Sequence, residues 1–437
     1  MLLPSSSRLL GHFRASAVRI TRRTEAAKSK RLTVCAPAPL ASRAAFSTGA
    51  NGGGKVTKEM LAHEGKEILK LMIGGVALST IFIVTGGYAV ETAKGLNPMP
   101  APGRFVELVD KDGNAVKIHY QRRGSGDVTV LFDGGVGETS FDWDKVAEQV
   151  APDATVLAID RPGLGFSTTP GELPRTAEQI AKEYTEVLEK LNVPRKLVLV
   201  AHGAGGYNMR QLAHELQQQA TGSTAFTCHG LVLVDALQEN LREELESVSD
   251  SVRSALAAMD NNGDKVLRLA KIGLIRLITT VQYKKTLAKY TKEAAPYVQF
   301  YSPTPAHRQS ANWENAALPQ TEQAFRDDVS RARRVDAPCV VLSHGKPDLF
   351  NGLQVQPGID AGMIAAMERK WQEAQRLLAK TVASTPAVQV VVPDAGHCIH
   401  HEKPEAISRV VRALVHEARH PGERNGLESL KDGTCPI

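Results

Sequence analysis

Short runs of apolar residues recur along the chain after residue 104, and helical patterns separate most of them. The runs are continuous and do not alternate with polar residues, which is typical of strands that are buried on both faces. Between two runs, Thr176–Asn192 places Ile180, Tyr184 and Leu188 on one face of a helix. Buried strands that alternate with helices predict an α/β fold, a mostly parallel sheet with helices on both faces. The runs are Val128–Phe132, Val156–Ile159, Leu197–Val200, Leu231–Val234, Val340–Leu342 and Val388–Val391.

Two further features divide this region into parts. A hairpin turn signal, DKDGN, joins the predicted strands Phe105–Asp110 and Val116–Gln121 at the start of the sheet. The long interval between Asp235 and Cys339 is helical in character, which predicts an inserted helical cap over the strand ends. We therefore expect a core in two parts, residues 105–235 and 338–417, a cap at 236–337 and a C-terminal tail at 418–437.

Positive charge is concentrated at the beginning of the chain. The net charge is +6, but residues 1–50 contain nine Lys or Arg and one acid, Glu25, so they carry +8 and the remainder carries −2. The body therefore lacks the basic surface of a nucleic-acid-binding protein, and we expect no nucleic acid as a partner. A leader rich in Arg and Ser and poor in acids predicts a mitochondrial transit peptide over residues 1–46, with a disordered basic tail as the alternative. A flexible segment, residues 47–70, follows it.

A stretch of twenty residues without charge, Leu71–Val90, lies between Lys70 and Glu91. A helix of this length covers about 30 Å, the thickness of the hydrocarbon core of a bilayer. The segment predicts one transmembrane helix, whose small residues suit close packing against other membrane helices. A buried helix of the body is the alternative, which the Pro- and Gly-rich linker at residues 91–104 disfavours.

The leader and the span together predict a single-pass protein of the mitochondrial inner membrane. More lysines precede the span than follow it, which favours a body that faces the intermembrane space. The expected partners are membrane lipid and other transmembrane helices, within a multiprotein inner-membrane complex. The five cysteines lie singly, and the neighbours His400 and His401 have no partner cluster in the sequence, so we predict no metal site and no cofactor.

The motifs of the body occur in an order that resembles the α/β-hydrolase superfamily. They span residues 105–417 and read VLFDGG, DRPGLGFS, VLVAHGAGG, VLVDA, SHGKPD and GHCIHHEKPEA. In that family a Ser–Asp–His triad, in this chain order, carries out acyl transfer. The resemblance places Gly203 at the nucleophile, Asp348 at the acid and His397 at the base. It also implies that the backbone N–H groups of Ala204 and of a residue near Gly135 form the oxyanion hole.

Gly203 stands where the family has its catalytic serine. The nucleophile sits at a sharp turn with positive φ, which glycine adopts freely, so the turn would be kept while the attacking atom is lost. Asp133, where the family has histidine, would place a carboxylate beside a site built for negative charge. The GAG sequence at residues 203–205 also resembles, locally, the N-myc downstream-regulated proteins, which are noncatalytic relatives. We therefore predict a catalytically inactive α/β-hydrolase-like protein that is a structural or accessory subunit of a respiratory-chain or ATP synthase complex.

Three alternatives stay open on the sequence. Ser167 or Cys398 could replace the missing nucleophile, which would give an active enzyme on a lipid or acyl substrate at the membrane. His397 with Asp348 could act as a bare general base. The emptied pocket under the cap could bind an apolar ligand without turnover.

Overall fold

The computed structural model describes residues 58–110, 112–169, 174–219, 225–330, 334–384 and 387–421. It divides into two compact units, with the boundary before Gly86. The predicted transit peptide, the first part of the predicted flexible segment and the end of the predicted C-terminal tail lie outside the described residues.

Helix α1, Lys58–Leu96, contains the predicted transmembrane segment. Its stretch Leu69–Leu96 is long and apolar enough to cross a membrane, and most of its residues are exposed. At 1.5 Å per residue, these 28 residues extend about 42 Å. The helix continues past Val90 into the predicted linker because the first residue that interrupts helical geometry there is Pro98. It therefore fits the prediction of one transmembrane helix but extends beyond both predicted ends, and residues 58–70, predicted to be flexible, are helical.

Eight strands form a single sheet. They are β1 (Arg104–Val109), β2 (Ala115–Arg123), β3 (Val128–Asp133), β4 (Thr155–Ile159), β5 (Lys196–His202), β6 (Thr227–Val234), β7 (Cys339–His344) and β8 (Val388–Val392). Their order is β1-β2-β4-β3-β5-β6-β7-β8. The hairpin of β1 with β2 and the pair of β2 with β4 are antiparallel, and the other pairs are parallel. Each predicted apolar run lies in one of these strands, which confirms the mostly parallel α/β sheet.

Fourteen α-helices, counted over the described residues, complete the fold. After α1 these are α2 (Asp144–Val150), α3 (Ala177–Leu191), α4 (Gly205–Gln219), α5 (Leu241–Glu246), α6 (Asp250–Asp260), α7 (Asn262–Lys271), α8 (Leu274–Val281), α9 (Tyr283–Leu287), α10 (Ala295–Tyr301), α11 (Pro305–Ser330), α12 (Ala361–Thr381), α13 (Ile399–Glu402) and α14 (Pro404–Arg419). Neighbouring residues of a strand face opposite sides, so Leu199 belongs to one core and Val200 to the other. Helices α3, α4 and α12 cover the first core, and α2 and α14 cover the second. The predicted helices on both faces are therefore confirmed.

Helix α3 shows how the local sequence sets the bounds of an element. The helical pattern predicts a helix over Thr176–Asn192, and the observed helix occupies the residues between these two. The side chain of Thr176 accepts a hydrogen bond from the N–H of Gln179 at 3.3 Å and so caps the start of the helix. Asn192 adopts a positive φ of 45° and ends it.

Helices α5 to α11 lie between β6 and β7 and form the cap region. Phe141 and Phe166, from loops after β3 and β4, make ring contacts with Tyr297 and Tyr301 of the cap. Glu314 on α11 accepts a hydrogen bond from the Arg161 side chain, which follows β4. Aromatic and ionic contacts therefore join the cap to the ends of the central strands.

Candidate active site

The turn between β5 and α4 has the shape of a nucleophile elbow. Gly203 has a φ of +55°, in the left-handed region. A Cβ at this position would lie 3.5 Å from the Cα of Gly135, an ordinary van der Waals distance. The turn predicted from the sequence is therefore present and has space for a side chain, while the residue at its centre offers no attacking atom.

The acid partner of His397 is Asp235, and this corrects the predicted assignment of Asp348. His397 lies in the loop before α13, and its Nδ1 is 2.6 Å from Oδ2 of Asp235. Asp235 directly follows β6 and is fully buried. Asp348 follows β7, is exposed, and makes no hydrogen bond to His397 among the described residues. Strands β6 and β7 are neighbours in the sheet, so the topology allows an aspartate after either strand to approach His397. In the structure it is Asp235 that contacts His397.

Asp235 is shared by several donors. Nδ1 of His344 also lies 2.6 Å from its Oδ2, and the indole N–H of Trp371 donates to its Oδ1 at 2.9 Å. Burial alone would raise the pKa of Asp235, but the hydrogen bonds from His344 and His397 outweigh it and hold this pKa well below its usual range. The carboxylate is therefore ionised at neutral pH.

His344 carries a positive charge beside this carboxylate. Its Nδ1 faces Asp235 and its Nε2 contacts Glu368, so both ring nitrogens face acceptors. Burial lowers the pKa of His344, but these two partners raise it to about 10. In contrast, burial and the nearby His202 lower the pKa of His397. Because His344 already neutralises Asp235, the carboxylate supports a second imidazolium at His397 poorly, which weakens His397 as a general base.

The oxyanion-hole position near Gly135 is occupied by a carboxylate. The N–H of Gly135 donates to Oε2 of Glu138 at 2.7 Å, and Nδ1 of His202 lies 2.8 Å from the same oxygen. Burial raises the pKa of Glu138, but His202 and His400 lower it well below its usual range, so Glu138 is ionised. The predicted donor at Gly135 therefore already serves an internal anion.

Asp133 takes a different role from the predicted one. Its carboxylate pairs with Arg161 and accepts hydrogen bonds from Tyr184 Oη at 2.7 Å and Asn208 Nδ2 at 2.8 Å. Arg161 also donates to Glu314 at 2.6 Å. The negative charge of Asp133 is thus compensated, and it is Glu138, which the sequence analysis did not single out, that places a carboxylate against the predicted hole.

The two alternative nucleophiles, Ser167 and Cys398, are not activated by their surroundings. Ser167 Oγ donates to the carbonyl oxygen of Asp160 at 2.6 Å and accepts from the N–H of His119 at 2.9 Å. Burial raises the pKa of the Cys398 thiol to about 12, so it is protonated at neutral pH. Neither side chain has the activated form that a nucleophile needs.

Four members of the site were not predicted from the sequence: Asp235, Glu138, His202 and His344. A signal existed for Asp235, since it ends the VLVDA strand and the carboxyl ends of parallel strands meet at one edge of the sheet. His202 and His344 likewise end β5 and β7. The hydrogen bond that the N–H of Gly135 donates to Glu138 depends on the conformation of one loop, which no pattern in the sequence specifies.

Comparison with known proteins agrees with this architecture. A model of the alpha/beta hydrolase family matches residues 130–410, and the chain belongs to this family. A solved structure of a probable hydrolytic enzyme from Pseudomonas aeruginosa is similar, with a TM-score of 0.51, 18% identity and coverage of 72% of this chain and 94% of that one. A candidate epoxide hydrolase from Pseudomonas aeruginosa gives a TM-score of 0.50 at 17% identity, over 74% of this chain and 98% of that one. At these identities the likeness shows the fold alone.

The curated relatives match over short segments. The probable transporter efuK from Hormonema carpetanum is 29% identical over 99 residues, which is 22% of this chain and 14% of that protein. The first curated relatives are covered over 14% to 36% of their own length. These matches therefore leave the activity of this chain to be argued from its own residues.

Proposed function

We propose that this chain is a catalytically inactive α/β-hydrolase-like protein, anchored in the mitochondrial inner membrane, that serves as a structural or accessory subunit of a respiratory-chain or ATP synthase complex. The observation that carries the proposal is the elbow, where Gly203 offers no attacking atom and the facing N–H of Gly135 is bound to Glu138. Acyl transfer needs a nucleophile, a base and an oxyanion hole together. The nucleophile is absent and the oxyanion-hole N–H is occupied, both at the same end of the site, and the base, His397, is weakened.

The joint between cap and core supports a structural role. Arg161 is buried and donates to Glu314 of the cap and to the carbonyl oxygens of Gly134, at 3.0 Å, and Gly135, at 2.7 Å. Oε2 of Glu314 in turn accepts from the N–H of Gly137 at 3.2 Å. Opening the cap away from this loop would separate buried charges from their partners, which is strongly unfavourable. A cap that is held shut suits a scaffold better than a site that must admit and release a substrate.

The end of α1 is fixed to the cap, within the unit that begins at Gly86. Glu91 accepts two hydrogen bonds from Arg276 of α8, at 2.5 and 2.9 Å, and both side chains are nearly buried. Arg276 also donates to the carbonyl oxygen of Phe300 at 3.0 Å. A bidentate pair of this kind fixes orientation as well as distance. The last turns of α1, from Gly86 onward, are thus held against the cap, which supports a structural role for this contact.

The leader and the apolar span support the proposed location and partners. The Arg- and Ser-rich, acid-poor leader supports a mitochondrial destination, and the lysines before the span support a body in the intermembrane space. The exposed apolar surface of Leu69–Leu96 supports contact with lipid and with other membrane helices.

Native electrophoresis combined with active-site labelling tests the proposal. Mitochondria are solubilised in a mild detergent, complexes are resolved under native conditions, and the chain is located while a fluorophosphonate probe reports reactive serines. We expect the chain to migrate with a large complex and to remain unlabelled. Migration as a free monomer together with labelling of this chain would contradict both parts of the proposal.

The bond between His397 and Asp235 favours a second candidate, an enzyme that acts through a general base on a lipid or acyl substrate. The bond keeps the proton on Nδ1, which leaves Nε2 of His397 as an acceptor, and the side chain is 12% exposed. If this candidate is correct, the purified chain turns over a lipid or acyl substrate. This activity should disappear in His397→Gln and persist in the control variant His229→Gln. Absence of turnover in the unsubstituted chain leaves the inactive scaffold as the better account.

A further inference from the structure

Three side chains from separate elements meet beside the oxyanion loop. Glu138 follows β3, His202 ends β5 and His400 lies on α13. One ligand atom from each lies within 4.8 Å of the other two. The three side chains are hereafter called the Glu138 cluster.

His400 is the member whose surroundings are unexplained. It is fully buried, and neither of its ring nitrogens has a hydrogen-bond partner among the residues that the structure describes. Its Nε2 lies 3.6 Å from Oε1 of Glu138, which is too long for a hydrogen bond. The same separation is close to that between two ligands of one tetrahedral metal, about 3.3 Å for bonds of about 2.0 Å. A metal between these atoms would satisfy the buried nitrogen.

His202 has the arrangement of a metal ligand with its outer support. Its Nε2 lies 3.1 Å from the carbonyl oxygen of His397, and because a carbonyl oxygen can only accept, Nε2 carries a proton. Its Nδ1 faces the ionised carboxylate of Glu138 at 2.8 Å. With Nε2 protonated, His202 Nδ1 either carries a second proton and donates to Glu138, or binds a metal ion that Glu138 also binds. A ligating histidine that donates its other N–H to a backbone carbonyl is the usual outer support of a protein metal site.

Two further groups of possible metal ligands lie nearby among the described residues: Asp235, His344 and His397, and Asp142, His400 and His401. In the cluster of Asp235, His344 and His397, both Nδ1 atoms lie 2.6 Å from the carboxylate, so ordinary hydrogen bonds account for them. His401 Nε2 is 3.1 Å from Oδ1 of Asp142, which is also a hydrogen bond. His400 belongs to both this group and the Glu138 cluster. Its Nε2 lies 3.6 Å from Oε1 of Glu138, whereas Asp142 already accepts from His401, so we assign His400 to the Glu138 cluster.

We propose that Glu138, His202 and His400 bind one divalent transition-metal ion of the zinc class. Two imidazole nitrogens and one carboxylate oxygen suit zinc, cobalt or nickel better than magnesium or calcium. The metal would join the oxyanion loop, the elbow strand and α13 through Glu138, His202 and His400. This proposal does not depend on the proposed function. No metal was predicted from the sequence because His400 and His401 have no ligand partners nearby in the chain, whereas the fold brings Glu138 and His202 to His400.

Zinc binding by the purified full chain tests the proposal. The chain is prepared in detergent without a histidine tag, stripped with a chelator and dialysed against zinc, and bound metal is measured by mass spectrometry. We expect one zinc ion per chain, with affinity lowered roughly tenfold or more in Glu138→Gln and in His400→Leu. His229→Gln, a histidine outside the cluster, should bind as the unsubstituted chain does.

Cobalt gives a second readout that does not rely on stoichiometry. Four-coordinate cobalt in the Glu138 cluster should give visible absorption bands that are lost in Glu138→Gln, a substitution of nearly equal size that is expected to fold. Added zinc should raise the unfolding temperature of the unsubstituted chain and not of this variant. Binding of less than one ion per chain, or binding that Glu138→Gln and His400→Leu leave unchanged, overturns the proposal.

Discussion

The two ends of the candidate site differ in what they have kept. At the acid–base end, the bond between His397 and Asp235 is present at 2.6 Å, as a working triad would require. At the nucleophile end, the elbow is present at Gly203, but its side chain is absent and the N–H of Gly135 is bound to Glu138. One end retains its contacts and the other retains only the course of its backbone.

The difference follows from what else each end holds together. Asp235 also binds His344 and the indole of Trp371, so its loss would leave buried donors on β7 and α12 without partners. A serine at the elbow has no comparable structural duty, since glycine adopts the required positive φ at lower cost. A hydrogen bond of the kind found in a catalytic triad, such as that between His397 and Asp235, can therefore persist because it stabilises the fold. Alone, it is weak evidence for enzymatic activity.

The largest expected effect comes from neutralising the acid at the retained end. Asp235→Asn keeps the size of the side chain and tolerates the positive φ of 44° at this position, but it removes the charge that His344 and His397 share. We expect a loss of about 3 kcal/mol in the free energy of unfolding, measured by chemical denaturation, because a buried charge pair is broken. The matched control is Asp348→Asn, which changes an exposed aspartate and should leave stability unchanged. Equal destabilisation by both substitutions would restore the assignment made from the sequence.

The sheet could be predicted from the sequence because its signal is local. Each buried strand is a continuous apolar run. The helical pattern between Thr176 and Asn192 likewise predicts α3, and these two residues are the caps of the observed helix. The elbow at Gly203 could be predicted for the same reason, since a strand, a short glycine-containing turn and a helix follow one another directly.

The acid and the oxyanion loop could not be assigned in this way. Asp235 and Asp348 both follow strands that are neighbours in the sheet, and the choice between them rests on packing of Trp371 from a helix far along the chain. The contact between Glu138 and Gly135 is set by loop geometry. Patterns of residues report which elements form, whereas the hydrogen bonds between distant elements require their arrangement in space.

For a change of one pH unit, a smaller effect is expected from the charge on His344. Its pKa is about 10 in the folded chain and about 6.5 in the unfolded chain, so the stability that it contributes is complete below about pH 6.5 and is lost as the pH rises toward 10. Within that window the slope should reach roughly 1.4 kcal/mol per pH unit. Denaturation of the purified chain at several pH values should show this slope, and His344→Gln should be flatter over the same range. Parallel curves for the two proteins would mean that His344 is neutral, and Asp235 would then be free to support His397.

The smallest effect on stability, and the sharpest comparison of the two ends, comes from restoring the nucleophile. Gly203→Ser has room for its Cβ but must adopt a φ of +55°, so we expect a loss of about 1 kcal/mol in the free energy of unfolding. We expect no labelling by a fluorophosphonate, because the N–H of Gly135 stays bound to Glu138 and cannot stabilise the developing oxyanion. Adding Glu138→Ala to Gly203→Ser should free that N–H and allow labelling, with Gly203→Ala plus Glu138→Ala as the control without a hydroxyl. Labelling of Gly203→Ser alone would show that the nucleophile end lacks only the serine side chain. The hydrogen bond between the N–H of Gly135 and Glu138 would then not explain inactivity.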